Sequence, residues 1–99
     1  MIKIKTIEEI KKILAEYKEE IREKYGVVII GIFGSYARDE HKEGSDVDIL
    51  VETETPIGLE FFELWDFLEK LLGCEVDLVR RKTLREEIRD EILMEVVPI

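Results

Sequence analysis

The sequence predicts an α/β (α+β) fold, a small mixed β-sheet of about three strands packed with helices, in the order α-β-(turn)-β-α-β-α. Three observations predict it. Apolar residues spaced by three and four alternate along the chain with short β-branched runs. The runs are separated by glycine, proline and capping patterns that punctuate elements and not disordered tracts. The chain has 99 residues, enough for one core and too few for two, so residues 1–99 are expected to form a single domain.

The first helix is read from Ile7, Ile10, Leu14, Tyr17 and Ile21, one stripe on a 3.6-residue period that ends near Gly26. Thr6 and Glu9 form a capping-box pattern at its start: the Thr oxygen takes a free backbone N–H and the Glu reaches back to another. Val27 to Phe33 is a continuous apolar run, expected as a strand buried on both faces, in which Gly31 marks close packing. From Asp46 to Glu52 the side chains alternate, with Asp46, Asp48, Leu50 and Glu52 on one face and Val47, Ile49 and Val51 on the other. Pro56 is expected to open a second helix, with Phe61, Leu64, Trp65, Leu68, Leu71 and Leu72 as a core face and Gly73 as its stop. Glu75 to Val79 reads as a third strand. Thr83 and Glu86 repeat the capping-box pattern, and Leu84, Ile88, Ile92 and Val96 are expected to line a last helix that stops before Pro98.

Hydrophobic residues make up 45% and charged residues 39% of the chain, a balance that supports a folded domain over disorder. The net charge of −9 repels a nucleic-acid backbone over most of the surface, so direct nucleic-acid binding is not expected. Neither a signal-like segment nor a run of 18 apolar residues is visible, so the expectation is a cytoplasmic protein with no membrane partner. Cys74 stands alone, which excludes an internal disulfide and fits a small apolar side chain.

A crossover through a helix normally leaves its two strands parallel, so the starts of strands two and three lie side by side if they are neighbours. Asp46, Asp48 and Asp77 can then converge. If strands one and two are antiparallel, Gly34 and Ser35 reach the same edge. Carboxylates gathered on one face raise one another's pKa unless a cation neutralises them. Hard oxygen ligands suit Mg²⁺ or Mn²⁺, and two such ions can assist in-line displacement at phosphorus. Gly34 and Ser35 make a tight exit whose N–H groups and hydroxyl can hold phosphate without bulk. Each feature by itself has a plainer meaning: an Asp-x-Asp pair is usually a solvated strand edge, and a Gly-Ser pair is usually only a turn. Arg38 can meet phosphate or pair with Asp39 or another surface acid, and His41 reads as a solvated loop residue. Gly44 and Ser45 are expected to shape the entry to strand two, with Ser45 a candidate to approach a bound nucleotide.

Gly34-Ser35, ten intervening residues and Asp46-Val47-Asp48 reproduce the GSx10DxD signature of the DNA polymerase β-like nucleotidyltransferase superfamily. With EVDLV and the closing ILMEVVPI, the chain resembles the minimal nucleotidyltransferase family over nearly its whole length. That resemblance implies a nucleotidyltransferase fold. It also implies that Asp46, Asp48 and Asp77 are catalytic metal ligands, that Asp77 helps deprotonate the acceptor, and that Gly34 and Ser35 hold the triphosphate. Relatives often carry Gly after the Ala-Arg pair, where this chain has Asp39.

The implied reaction moves a nucleoside monophosphate, with ATP the leading donor, to an acceptor hydroxyl and releases pyrophosphate. Members of the family are commonly paired with HEPN-domain proteins, which implies an antitoxin that adds AMP to a tyrosine of its toxin. Transfer to a small molecule, as in aminoglycoside nucleotidyltransferases, is the second reading, and dimerisation could complete a pocket for it. A third reading is an antitoxin that acts by binding alone. A polymerase is disfavoured because basic patches and a template-binding domain are missing from the sequence.

Overall fold

A computed structural model describes residues 5–99. Helix α1 (Ile7–Tyr25) leads into strand β1 (Val27–Phe33); β2 (Val47–Thr53), α2 (Glu60–Leu72) and β3 (Val76–Arg80) follow. A single 3-10 turn at Arg81–Thr83, helix α3 (Glu86–Glu95) and a short strand β4 (Val97–Pro98) complete the order. The sheet runs β3-β2-β1-β4, with β1 antiparallel to both β2 and β4 and with β2 parallel to β3. The expected mixed sheet is therefore present, with β4 as an additional edge strand.

The capping box at Thr6 forms on both sides: Thr6 Oγ1 accepts the Glu9 N–H at 3.2 Å and Glu9 Oε1 accepts the Thr6 N–H at 3.4 Å. Gly26 ends α1 in the left-handed conformation, with φ 69°. The stripe read from the sequence places Ile10, Leu14 and Ile21 in the core, and Leu64, Leu68 and Leu72 of α2 join them. Both helices bury these residues against one sheet face, where Val47, Ile49 and Val51 of β2 and Val76 and Leu78 of β3 point. The strand alternation thus commits Asp48 and Asp77 to the opposite face.

The structure corrects four expectations. Pro56 does not open α2, which starts at Glu60 with Leu59 at its cap and no side-chain capping bond. The second capping box is not made: Thr83 belongs to the 3-10 turn, its hydroxyl donates to the Arg80 carbonyl at 2.8 Å, and Arg85 caps α3. The helix begins two residues later than the pattern implies, so the Thr83 oxygen is not at the cap position. Val96 leaves the helix in an extended conformation, because Val97 is drawn into pairing with Ile32. β1 is not buried evenly on both faces: buried and half-buried residues alternate from Val27 to Gly31, and a register irregularity between Ile29 and Gly31 breaks that alternation. A Cβ on Gly31 would strike the Val97 carbonyl, so the close neighbour this glycine admits is β4.

Among the described residues no helix is long and apolar enough to cross a membrane.

Candidate active site

The site is built by strand direction. Because β2 and β3 are parallel neighbours, Asp48 pairs directly with Asp77 in register. Because β1 and β2 are antiparallel, Phe33 pairs with Asp48, and Gly34 arrives beside the same carboxylate. Asp46 immediately precedes β2 and is exposed, as is Asp77, whereas Asp48 is half-buried.

Gly34 adopts φ 75°, and a Cβ built on it would overlap the Asp48 carboxylate. The residue is therefore glycine for two reasons, its left-handed backbone and the carboxylate lying on its Cα. From Gly34 the chain makes a single helical turn, with the Arg38 N–H donating to the Gly34 carbonyl at 3.1 Å and the Glu40 N–H to the Ser35 carbonyl at 2.8 Å. Asp39 closes that turn with φ 58°, a conformation that favours glycine but that Asp adopts more readily than most residues.

The electrostatics follow from this packing. Burial raises the Asp48 carboxyl from 3.8 to about 6, and Asp77, Asp46 and Glu95 push it in the same direction against the pull of Arg38. None of the three aspartates enters an ion pair among the described residues. As placed, no three His, Cys, Asp or Glu side chains among the described residues are drawn closely enough together to enclose a metal ion. Like charges without a counter-ion favour separation, and the exposed Asp46 and Asp77 are free to take it. The donor set nevertheless fits a hard divalent cation: two in-register carboxylates, a third two residues upstream, and a charge repulsion that a cation would remove.

Other candidates fall into place differently. Arg38 pairs with Glu40 and with Glu95, at 2.9 Å from Nη1 to Oε1, and not with Asp39. The Ser45 hydroxyl accepts the Lys42 N–H at 2.9 Å while the Ser45 N–H donates to the Lys42 carbonyl at 2.9 Å, so its first role is to shape the loop before Asp46. His41 is not simply solvated. Its ring stacks on Tyr36 at 3.9 Å between centroids, and its Nδ1 is buried with no hydrogen-bond partner among the described residues. A cavity of about 450 Å³ lies between the loop before Asp46 and the end of α2, lined by Lys5, Tyr36, Lys42, Ser45, Gly73 and Cys74 among others, and none of the three aspartates lines it. Burial raises the pKa of the Cys74 thiol, in keeping with a packing role.

Two supports escaped the sequence reading. Trp65 Nε1 donates to the Val76 carbonyl at 2.7 Å and Glu69 Oε2 accepts the Val76 N–H at 3.0 Å, so α2 fixes the backbone just before Asp77 from both sides. The i,i+4 spacing of Trp65 and Glu69 was visible, but not what the pair would grip. Glu95, at the end of α3, accepts the Gly34 N–H at 3.0 Å. Only folding brings residue 95 to residue 34.

The nucleotidyltransferase domain family matches residues 14–99 of the chain. The chain belongs to that family. A relative from Thermococcus cleftensis, named protein adenylyltransferase MntA, is 54% identical to this nucleotidyltransferase over 93 residues, covering 93% of this chain and 94% of its own. A solved structure described as a minimal nucleotidyltransferase superposes with a TM-score of 0.80 and 33% identity, covering 96% of this chain and 97% of that one. A crystal structure of a toxin-antitoxin with AMP-PNP matches with a TM-score of 0.56 and 26% identity, over 79% of this chain and 59% of that one. The nucleotidyltransferase fold expected from the sequence is thus the fold observed, and toxin-antitoxin proteins are among its structural neighbours.

Proposed function

We propose that the chain is a metal-dependent adenylyltransferase that moves AMP from ATP to a tyrosine hydroxyl of a HEPN-domain toxin, releasing pyrophosphate and acting as the antitoxin. The in-register pairing of Asp48 with Asp77, against a glycine that the Asp48 carboxylate covers, is the observation that carries the reading. The adenylyltransferase name of the Thermococcus relative and the AMP-PNP in the toxin-antitoxin neighbour support the donor and the setting.

In this mechanism Asp46 and Asp48 would hold Mg²⁺ or Mn²⁺, two ions in all, and Asp77 would be a further ligand. When bound, the ions neutralise charge on the phosphates and make the acceptor hydroxyl easier to deprotonate. The Gly34 N–H and the Ser35 hydroxyl hold the triphosphate. Asp77, exposed at the edge strand of the sheet, accepts the tyrosine proton. The tyrosine oxygen attacks the α-phosphorus, the bond to the bridging oxygen breaks, and that oxygen leaves with pyrophosphate. Asp48 is held where it faces both neighbours, so it orients the set while Trp65 and Glu69 keep β3 in register.

The test is a transfer reaction with ATP, Mg²⁺ and the product of the adjacent gene, followed by intact-mass measurement. One or more added AMP groups, mapped to tyrosine, is the expected result. An unchanged partner mass, in a preparation where a known active relative modifies its own partner, refutes the reading.

A further inference from the structure

Glu95 occupies a position that local electrostatics disfavour. It is the last residue of α3, where the helix presents negative partial charge and where the last turn holds no basic residue. It adds to the negative charge around Asp48, in a chain of net charge −9. Two anion-recognising groups offset this: the Gly34 N–H at 3.0 Å from Oε2, and Arg38 Nη1 at 2.9 Å from Oε1. The carboxylate therefore bridges a backbone N–H and a guanidinium as a phosphate oxygen pair would. β4 pins it there, because Val97, two residues on, pairs with Ile32, two residues before Gly34.

We propose that Glu95 is an internal stand-in for phosphate, occupying the seat on Gly34 and Arg38 that the nucleotide triphosphate must take from it. The inference rests on the reading of Gly34 as a phosphate donor. The free protein thereby keeps the Gly34 N–H and Arg38 satisfied and aimed, and triphosphate binding becomes an exchange of one anion for another. Nucleotide affinity is lower than the bare donors would give, and release of Glu95 frees the end of α3 at the moment the site fills. The same exchange makes the α3–β4 junction, beyond the acid cluster, a place that reports nucleotide occupancy.

The probe is inorganic triphosphate, titrated with and without Mg²⁺ into the whole chain while the Gly34 amide resonance is followed. Glu95→Gln keeps the volume and removes the charge, and is expected to bind triphosphate about three- to tenfold more tightly than the parent protein. Glu95→Asp keeps the charge but withdraws it by one methylene, and is expected to fall between the two. The Gly34 amide of Glu95→Gln should be shifted from that of the parent protein before any ligand is added. If triphosphate perturbs Gly34 but Glu95→Gln binds no more tightly, the stand-in is overturned and the phosphate role of Gly34 survives. If Glu95→Asp matches the parent while Glu95→Gln tightens, general charge repulsion explains the gain and direct occupancy is overturned. If neither the parent nor Glu95→Gln binds triphosphate and the Gly34 amide is unmoved, the phosphate reading of Gly34 falls and the stand-in with it.

Discussion

Replacing Gly34 by alanine separates two costs that a second glycine allows to be measured independently. Gly34 and Gly44 both have positive φ, 75° and 88°, so either alanine variant incurs the left-handed conformational penalty of about 1–2 kcal/mol. Around Gly44 there is nothing within 4 Å of an added Cβ, and the cost stops there. At Gly34 the new methyl overlaps the Asp48 carboxylate, which must shift or push β1 from β2, adding about 1–3 kcal/mol as overpacking does elsewhere. Gly34→Ala should therefore be less stable than Gly44→Ala by about that second amount, read from urea unfolding midpoints at constant slope. Activity should separate further. A displacement of Asp48 of the order of 1 Å should reduce single-turnover transfer about 100-fold, while Gly44→Ala should retain transfer within a few-fold. Equal stability of the two variants, or undiminished transfer by Gly34→Ala, would refute the packing of Asp48 on Gly34.

Further outcomes follow from the structure. The Asp48 carboxyl titrates higher in the folded protein, about 6, than its ordinary 3.8, so the folded state holds that proton more tightly and its stability should fall as pH rises from about 4 to above 6. Asp48→Asn should abolish transfer yet flatten this slope and stabilise the protein at pH 7 by about 1 kcal/mol, the nominal two-unit shift being reduced by solvent screening at a half-exposed site; unchanged pH dependence of unfolding counts against it. Mg²⁺ should raise the melting temperature of the parent protein and not of Asp48→Asn, and equal shifts would argue against a metal on this residue. Trp65→Phe should cost about 1 kcal/mol by losing the bond to Val76, and should lower transfer because β3 carries Asp77; intact activity with lowered stability would mean that the clamp serves only the fold. Asp39→Gly should stabilise the protein by about 0.5–1 kcal/mol by relieving a positive φ, checked by thermal unfolding, and a loss of stability would show that the Asp side chain is needed in the turn.

The legible parts of this molecule were those governed by local periodicity. Thr6 and Glu9 announced the start of α1 because both capping partners lie within one turn. Alternation in β2 assigned Asp48 and Val47 to opposite faces before any partner strand was known. The fourth strand was not legible: two residues ending in proline look like the end of a helix, and only the gap at Gly31 creates a strand there. The start of α2 and the cap of α3 were misplaced because Pro56 and Thr83 satisfy local patterns a few residues before the helices begin. The plain reading of His41 failed similarly, since its stacking partner Tyr36 becomes available only when the loop folds back.

By itself the sequence supplied the candidate acids, the glycine-serine exit, the family resemblance and the faces on which the side chains lie. These depend on residue identity and on periods of two or 3.6, which are properties of a local chain. Tertiary structure decided that Asp48 and Asp77 stand in register, that Asp48 covers Gly34, and that Glu95 sits on the Gly34 N–H. Those are contacts between residues from 14 to 61 positions apart, and no local period encodes them. They follow from burying the apolar faces of α1 and α2 on one side of the sheet, which leaves the polar edge on the other side to assemble the site.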